Sequence, residues 1–241
     1  MIVGEEEIAI KHLYLILMKN NLGNAKECKA LIKHKNIQVN SVVVDDPNYP
    51  IYGDEIITYH HLQLSAQPFT YLMLNKPKGY VSANKDERYP CVVDLIDNKK
   101  CYCLGRLDID TTGLLILTDD KSLSKQLLLP QNHVEKTYWV EVNHQLDDNL
   151  KDDFADGIVI DRDIKVKGAQ YVPIDQTHCY LTISEGKYHQ VKKMFLSCGY
   201  RVINLKRVSF SSISLDDSLK EGEFRFLTQE EIKMLNRQFM L

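Results

Sequence analysis

Gly105-Arg106-Leu107-Asp108-Ile109-Asp110-Thr111-Thr112-Gly113-Leu114-Leu115-Ile116-Leu117-Thr118-Asp119-Asp120 is the stretch that decides the fold. Its second half, Leu114 to Thr118, is apolar and stops at two aspartates, the pattern of a buried strand ending at a turn. Its first half is a polar loop held between two glycines. Glycine accepts backbone angles that other residues resist, so such a loop can turn sharply and come close to a ligand. Asp108 lies in this loop, two residues from Arg106 and two from Asp110. A short loop feeding a rigid strand can hold a carboxylate still as a nucleophile or base. The same residue types also suit an ordinary turn with a capping aspartate, because turns are rich in Asp, Gly and Thr.

Around this stretch, composition sets broad bounds. A chain of 241 residues is long enough for a full core and for two domains. Its hydrophobic content of 44% is ordinary for a globular protein and argues against disorder. Glu5-Glu6-Glu7 stands where a secretory leader would be basic, and the apolar run Leu13 to Met18 is too short to cross a bilayer. A cytoplasmic protein without membrane contact is expected. The six cysteines contain no C-x-x-C pair, so they read as reduced thiols and offer no zinc site. The net charge of −3 argues mildly against a nucleic-acid partner, but the charge is unevenly placed. Lys19, Lys26, Lys29, Lys33 and Lys35 face one acid, Glu27, while Lys187, Lys192, Lys193, Arg201, Lys206 and Arg207 occupy a segment with none. Local patches of this kind create the field that a phosphate backbone feels.

Taken in order, residues 8–20 are apolar with a helical period, and Asn24 is placed to cap a second helix through about Lys33. Two short β-prone runs follow, Ile37–Val44 and Glu55–Tyr59. Residues 63–70, with Ser65, Gln67 and Pro68, read as a linker between a first domain, 1–62, and a second, 71–241. Tyr71–Asn75 is a predicted strand, and the loop after it offers Lys76 and Lys78 to phosphates. Ser122–Leu129 is a predicted helix that Pro130 ends. Lys136–Val142 alternates as a half-buried strand. Leu146–Asp156 reads as a helix with Gly157 just past its end. Ile164–Ala169, Cys179–Ser184 and Val202–Leu205 read as strands. At helical spacing, Tyr188, Val191, Met194 and Phe195 form one apolar face. Lys192 falls at its margin, able to reach a buried pocket, while Lys193 points away and is free for phosphate. His189 reads as a structural neighbour of that face. Thr228-Gln229-Glu230-Glu231 is a capping box opening a last helix.

Several of these strings resemble the motifs of the pseudouridine synthases, in the branch typified by ribosomal small subunit pseudouridine synthase A. They are GRLDIDTTGLLILTDD, LNKPKGYV, Lys136-Thr137-Tyr138, EGKYHQVKKMF and LKRVSFS. The segment LGNAKECKALIKHKNIQVNSVVV resembles the S4 RNA-binding domain. There are departures. Lys121 follows Thr118-Asp119-Asp120 where the branch usually has Gly. Ile8-Ala9-Ile10-Lys11 and Asn24-Ala25-Lys26 replace the usual S4 residues. Lys193 replaces an arginine, and Ser211 and Ser212 replace glycines, which adds bulk near the expected substrate.

The resemblance implies an α+β chain: a small S4-like module of two helices and a sheet, then a catalytic domain with a mixed, mostly antiparallel sheet and flanking helices. It implies isomerisation of a uridine in ribosomal RNA, most naturally that of the small subunit, free or in a pre-ribosomal particle, by a monomer. A large-subunit target or a non-catalytic S4-type assembly factor are the alternatives. Asp108 would be the catalytic carboxylate, Tyr138 would stack on the uracil, and Lys192 would be the cation paired with Asp108. Arg106, Leu107, Thr112, Gly113 and Leu205 would line the substrate pocket. Lys26, Lys29, Lys33, Lys76, Lys78, Lys187, Lys193, Lys206 and Arg207 would meet RNA. No cofactor and no metal are expected, since the chain has no P-loop, dinucleotide fingerprint or metal motif. A metal-dependent nuclease built on Asp108, Asp110, Asp119 and Asp120 is the rival from another class.

Overall fold

Asn24 shows how residue chemistry starts an element. In the computed structural model, which describes residues 11–237 apart from positions 54, 67, 68 and 97, its side-chain oxygen accepts from the amides of Lys26 and Glu27 at 3.0 and 3.1 Å. Glu27 returns a bond to the Asn24 amide at 2.8 Å, completing a capping box. The expectations at Glu5–Glu7 and residues 8–10 lie outside the described residues. The first helix, α1, runs Leu13–Lys19, and the second, α2, Ala25–Lys33. α1 starts later than its apolar pattern suggests because Lys11–His12 pairs as a short strand with Pro50–Ile51.

Four strands follow: β1, Ile37–Val39; β2, Val42–Val44; β3, Ile57–Tyr59; and β4, Leu62–Leu64. They form one antiparallel sheet in the order β2-β1-β3-β4. The run Ile37–Val44 is thus two strands, because Asn40 and Ser41 both take positive φ, 50° and 67°, and reverse the chain as a two-residue hairpin turn. His60 and His61 do the same, at 46° and 67°, so Leu62–Leu64 is a strand and not the start of a linker. Leu13, Ile16, Leu17, Cys28, Ile32 and Ile57 fill a core between helices and sheet. The chain divides into two compact units, the first ending at Thr70 and the second beginning at Tyr71.

The second unit is built on β5, Tyr71–Lys76; β6, Tyr102–Leu104; β7, Thr112–Thr118; β8, Lys136–Val142; β9, Gln170–Pro173; β10, His178–Ile183; β11, Val202–Phe210; and β12, Phe224–Phe226. The main path of the sheet is β9-β10-β8-β11-β7-β5-β12. β7 is its apolar centre, buried at every position. One edge of β7 is lined by β5. The other is shared, with β6 antiparallel beside Ile116–Thr118 and β11 parallel beside Thr112–Gly113. That parallel contact lets Gly113 matter most: a Cβ there would lie 2.3 Å from the Arg207 carbonyl oxygen. The glycine serves close strand packing, not the approach of a ligand.

Four helices complete the unit: α3, Lys121–Leu128; α4, Leu150–Asp156; α5, Gln190–Ser197; and α6, Gln229–Arg237. Phe154 of α4 meets Phe195 of α5 with ring centres 4.9 Å apart, so both helices pack into the large core. α4 begins four residues after the expected Leu146, whose amide is instead bound to the Gln176 carbonyl at 2.7 Å. Of Ile164–Ala169 only Ile164–Lys165 is strand, and β9 follows it unannounced by alternation. β11 extends five residues beyond the expected Val202–Leu205. Tyr188 is not on α5, since His189 breaks the helical path with φ 55° and ψ 31° just before it.

Candidate active site

The loop joining β6 to β7 carries Asp108, and the segment after β5 holds that loop in place. Lys76 is wholly buried, and its Nζ donates to the carbonyl oxygens of Asp108 at 3.0 Å, Thr111 at 2.8 Å and Pro77 at 3.1 Å. The Gly79 amide donates to the Ile109 carbonyl at 2.8 Å. Ser82 Oγ accepts from the Leu107 amide at 3.0 Å and donates to the Leu107 carbonyl at 2.9 Å. Thus LNKPKGYVS clamps the backbone around Asp108. This corrects the expectation that Lys76 meets phosphate, because its ammonium is spent on carbonyls inside the fold. Burial pulls the Lys76 pKa down to about 8, against the opposing charges of Asp110 and Asp108.

From the facing side, α5 brings Lys192. Its Nζ lies 3.0 Å from Asp108 Oδ2 and 2.5 Å from Asp110 Oδ1. Burial alone would raise the Asp110 pKa and lower that of Lys192. Their hydrogen bond and mutual charge outweigh it, so Asp110 is held below and Lys192 above its ordinary value. Asp110 is therefore more than a turn residue. His189 Nε2 stands 3.5 Å from Asp108 Oδ1, so the histidine assigned to structure flanks the other oxygen of the carboxylate. Only its place beside the Lys192 helix turn could have signalled this from sequence.

Asp108 faces a cavity of about 590 Å³ lined by Leu107, Tyr138, Leu205, Arg207 and Lys192 among others. Tyr138, on the inward-facing alternation of β8, is buried. Burial raises its pKa, opposed by the neighbouring charge and hydrogen bond of Arg207. Arg106 and Leu107 also line the cavity, whereas Thr112 and Gly113 do not, since both are enclosed in β7. Ser211 and Ser212 are not at the cavity either; Ser211, at φ 56°, turns the chain after β11, so their bulk stays clear of it.

Arg207 also departs from expectation. It is fully buried, its Nε donates to the Leu114 carbonyl at 2.8 Å, and its Nη2 has no hydrogen-bond partner among the described residues. Its position beside the parallel contact turns it into the cavity and away from solvent RNA. Lys193 is not free, because it pairs with Asp161 at 2.5 Å. Lys136, which the sequence reading passed over, lines the cavity with its pKa drawn down to about 8 by burial and then by Arg207. Lys78 and Lys187 are exposed and Lys206 partly so, and Lys78 donates to Asn204 Oδ1 at 2.5 Å. In the first unit Lys26, Lys29 and Lys33 are all exposed, with the Lys29 ammonium 4.4 Å from the Tyr14 ring centre. Of the metal rival's carboxylates, Asp108 and Asp110 share the Lys192 ammonium. Asp120 is buried, accepts from Tyr71 OH at 2.7 Å and caps α3. Among the described residues no group of three His, Cys, Asp or Glu is arranged to hold a metal ion.

A clamped carboxylate, a cation on the opposing helix and a buried tyrosine on the wall of one cavity define an enzyme site on an α+β fold. The chain belongs to the RNA pseudouridylate synthase family, whose pattern matches residues 70–197, and is thus an isomerase. It is 38% identical over 230 residues to an uncharacterised RNA pseudouridine synthase, YtzG, of Bacillus subtilis, covering 92% of this chain and 96% of that one. It is 48% identical over 166 residues to ribosomal small subunit pseudouridine synthase A of Yersinia pestis, covering 67% and 71%. A crystal structure of a pseudouridylate synthase superposes with a TM-score of 0.67 at 35% identity, covering 93% of this chain and 99% of that one.

Proposed function

We propose that the protein converts one uridine of small-subunit ribosomal RNA into pseudouridine, with Asp108 as its nucleophile and without a cofactor. The observation that carries this reading is the pairing of Asp108 with Lys192 at 3.0 Å beside a cavity containing Tyr138. The name of the Yersinia relative supports the small subunit as target. The uridine leaves its stack to enter the cavity, and the Tyr138 ring replaces the lost stacking. Two routes use the same carboxylate. In one, Asp108 bonds to C1′ as the N1–C1′ bond breaks and its electrons pass to the uracil. The uracil turns, C5 bonds to C1′, the carboxylate leaves, the C5 proton is lost and N1 gains one. In the other, Asp108 takes the C2′ proton as the N1–C1′ bond breaks with its electrons passing to the uracil, which leaves a glycal. C5 of the turned uracil then bonds to C1′ as C2′ regains a proton, the C5 proton is lost and N1 gains one. Lys192, 3.0 Å from the carboxylate, pairs its charge and orients it for either route.

The first unit, two helices followed by a four-stranded sheet with lysines along α2, is read as an S4-like module that docks on the RNA. The protein is read as a cytoplasmic monomer; no helix among the described residues is long and apolar enough to cross a membrane. Pseudouridine mapping in rRNA from cells with and without the gene tests the function. One small-subunit position should lose its modification and regain it on complementation. Loss of a large-subunit position instead moves the target, and an unchanged map overturns the reading.

A further inference from the structure

Among the described residues Tyr188 is the most exposed large hydrophobic side chain of the second unit, at 74%, and it adjoins a helix whose Val191, Met194 and Phe195 are buried. Its ring lies on that of His189 with centres 3.8 Å apart and planes 20° apart. The Lys193 ammonium stands 5.1 Å from its centre, and Lys187, next in the chain, is exposed. Tyr188 and Lys187 also belong to the wall of the cavity that Asp108 faces. The left-handed backbone of His189 is what presents the pair, because a helical residue there would carry Tyr188 toward the core.

We propose that the Tyr188–His189 pair is a stacking platform for an unpaired nucleotide next in the RNA strand to the uridine that enters the cavity, with Lys187 at its phosphate. The proposal deepens the functional reading above, since it rests on RNA entering at this rim. An exposed aromatic ring with basic side chains nearby is the arrangement by which proteins hold single-stranded nucleic acid, because every base has a face to stack and a phosphate to neutralise. The platform is already assembled: His189 supports one side of Tyr188, so little side-chain freedom is lost on binding. When a target base leaves its helix, its neighbours also lose stacking partners. A ring at the rim restores one such stack, lowering the cost of extruding the target.

The test is a cycle between protein and RNA. The RNA is a fragment of rRNA spanning the uridine that the wild-type protein modifies or, if it modifies none, the fragment it binds most tightly. Single bases within two nucleotides of that uridine (or, without modification, each unpaired base in turn) are removed as abasic sites. Affinity is read by fluorescence anisotropy and turnover by isomer formation. At one position base removal should weaken wild-type binding about tenfold, the size of one lost base–aromatic stack. Tyr188→Ala should weaken binding to intact RNA by the same factor and lose nothing further on the abasic RNA. Tyr188→Phe, which keeps the ring, should restore most of the affinity, and the loss in Tyr188→Ala should fall on KM. Equal abasic penalties in wild type and Tyr188→Ala at every position overturn the platform. Failure of the wild type to isomerise any uridine sinks the functional reading instead, and the binding cycle still decides the platform.

Discussion

At the residue scale the site turns on how three charges are shared. Lys192 serves two carboxylates, and only Asp108 among them faces the cavity. Asp108→Asn keeps shape but removes the attacking charge, so the variant should fold, bind RNA and lose at least about a thousandfold in rate. Asp110→Asn leaves the Asp108–Lys192 pair intact and should lose about tenfold or less. Lys192→Met leaves two carboxylates without their shared cation and should fall near the Asp108 variant. Isomer formation on an rRNA transcript, with thermal melting as a folding control, checks all three; equal loss at Asp108 and Asp110 would refute the assignment. The pair also has a definite pH range. Asp110 is depressed, so its stabilisation is present above the ordinary carboxylate value of 3.8 and is lost as pH falls through its lower folded value. Lys192 is raised, so its share is present below 10.5 and is lost as pH rises past its higher folded value. The strings that hold Asp108, Tyr138 and Lys192 made their meeting legible, and the structure brings all three to one cavity. The surroundings of His189, Asp110 and Arg207 were not legible because they depend on contacts between residues far apart in the chain. Arg207 in particular reads as a surface cation until the parallel contact with Gly113 encloses it.

At the element scale, β7 and its neighbours fix the cavity wall. Most elements were visible in the sequence, because period and caps are local: the Asn24 capping box, the alternation of β8, the apolar run of β7. The missed features were set by partners. β9 exists through its pairing with β10, and the end of β11 through Lys136–Thr137 beside it. Gly113→Ala tests the tightest contact. Its Cβ would meet the Arg207 backbone, oxygen at 2.3 Å and nitrogen at 2.8 Å, at a φ of 98° that alanine also resists. The strands must part, which should cost about 3 kcal/mol or more and reduce turnover by displacing Leu205 and Arg207; chemical denaturation beside the rate assay measures both. Lys76→Met tests the clamp. It leaves three carbonyls around Asp108 without their donor and should destabilise by about 3 kcal/mol. The pH dependence has an unusual sign. The folded Lys76 pKa is about 8 and the ordinary value 10.5, so between them the unfolded chain holds more protons and stability rises with pH. The melting difference between wild type and Lys76→Met should widen from pH 8 toward 10.5, and a constant gap would show that Lys76 is not titrating inside the fold.

At the scale of the whole molecule, a net charge of −3 coexists with a proposed RNA partner. The conflict dissolves because the field at a docking surface comes from its own residues and is screened over about 10 Å at ordinary salt. Lys26, Lys29 and Lys33 recur on one helix and are exposed, whereas Cys28 and Ile32 on the same helix are buried. Docking through that helix makes a quantitative demand. Each lysine–phosphate contact releases a counterion, so replacing all three with glutamine should flatten the plot of log Kd against log salt by about two units. Affinity at low salt should fall steeply, affinity at high salt should change little, and Asp108 chemistry at saturating RNA should persist. Arg201, exposed but in the second unit, is the matched control, since removing one cation there should shift the slope by less than one unit. Anisotropy titrations of an rRNA fragment at four or five salt concentrations give both slopes. An unchanged slope in the triple variant would remove α2 from the RNA interface and, with it, the S4-like reading of the first unit, while the proposed chemistry at Asp108 would stand.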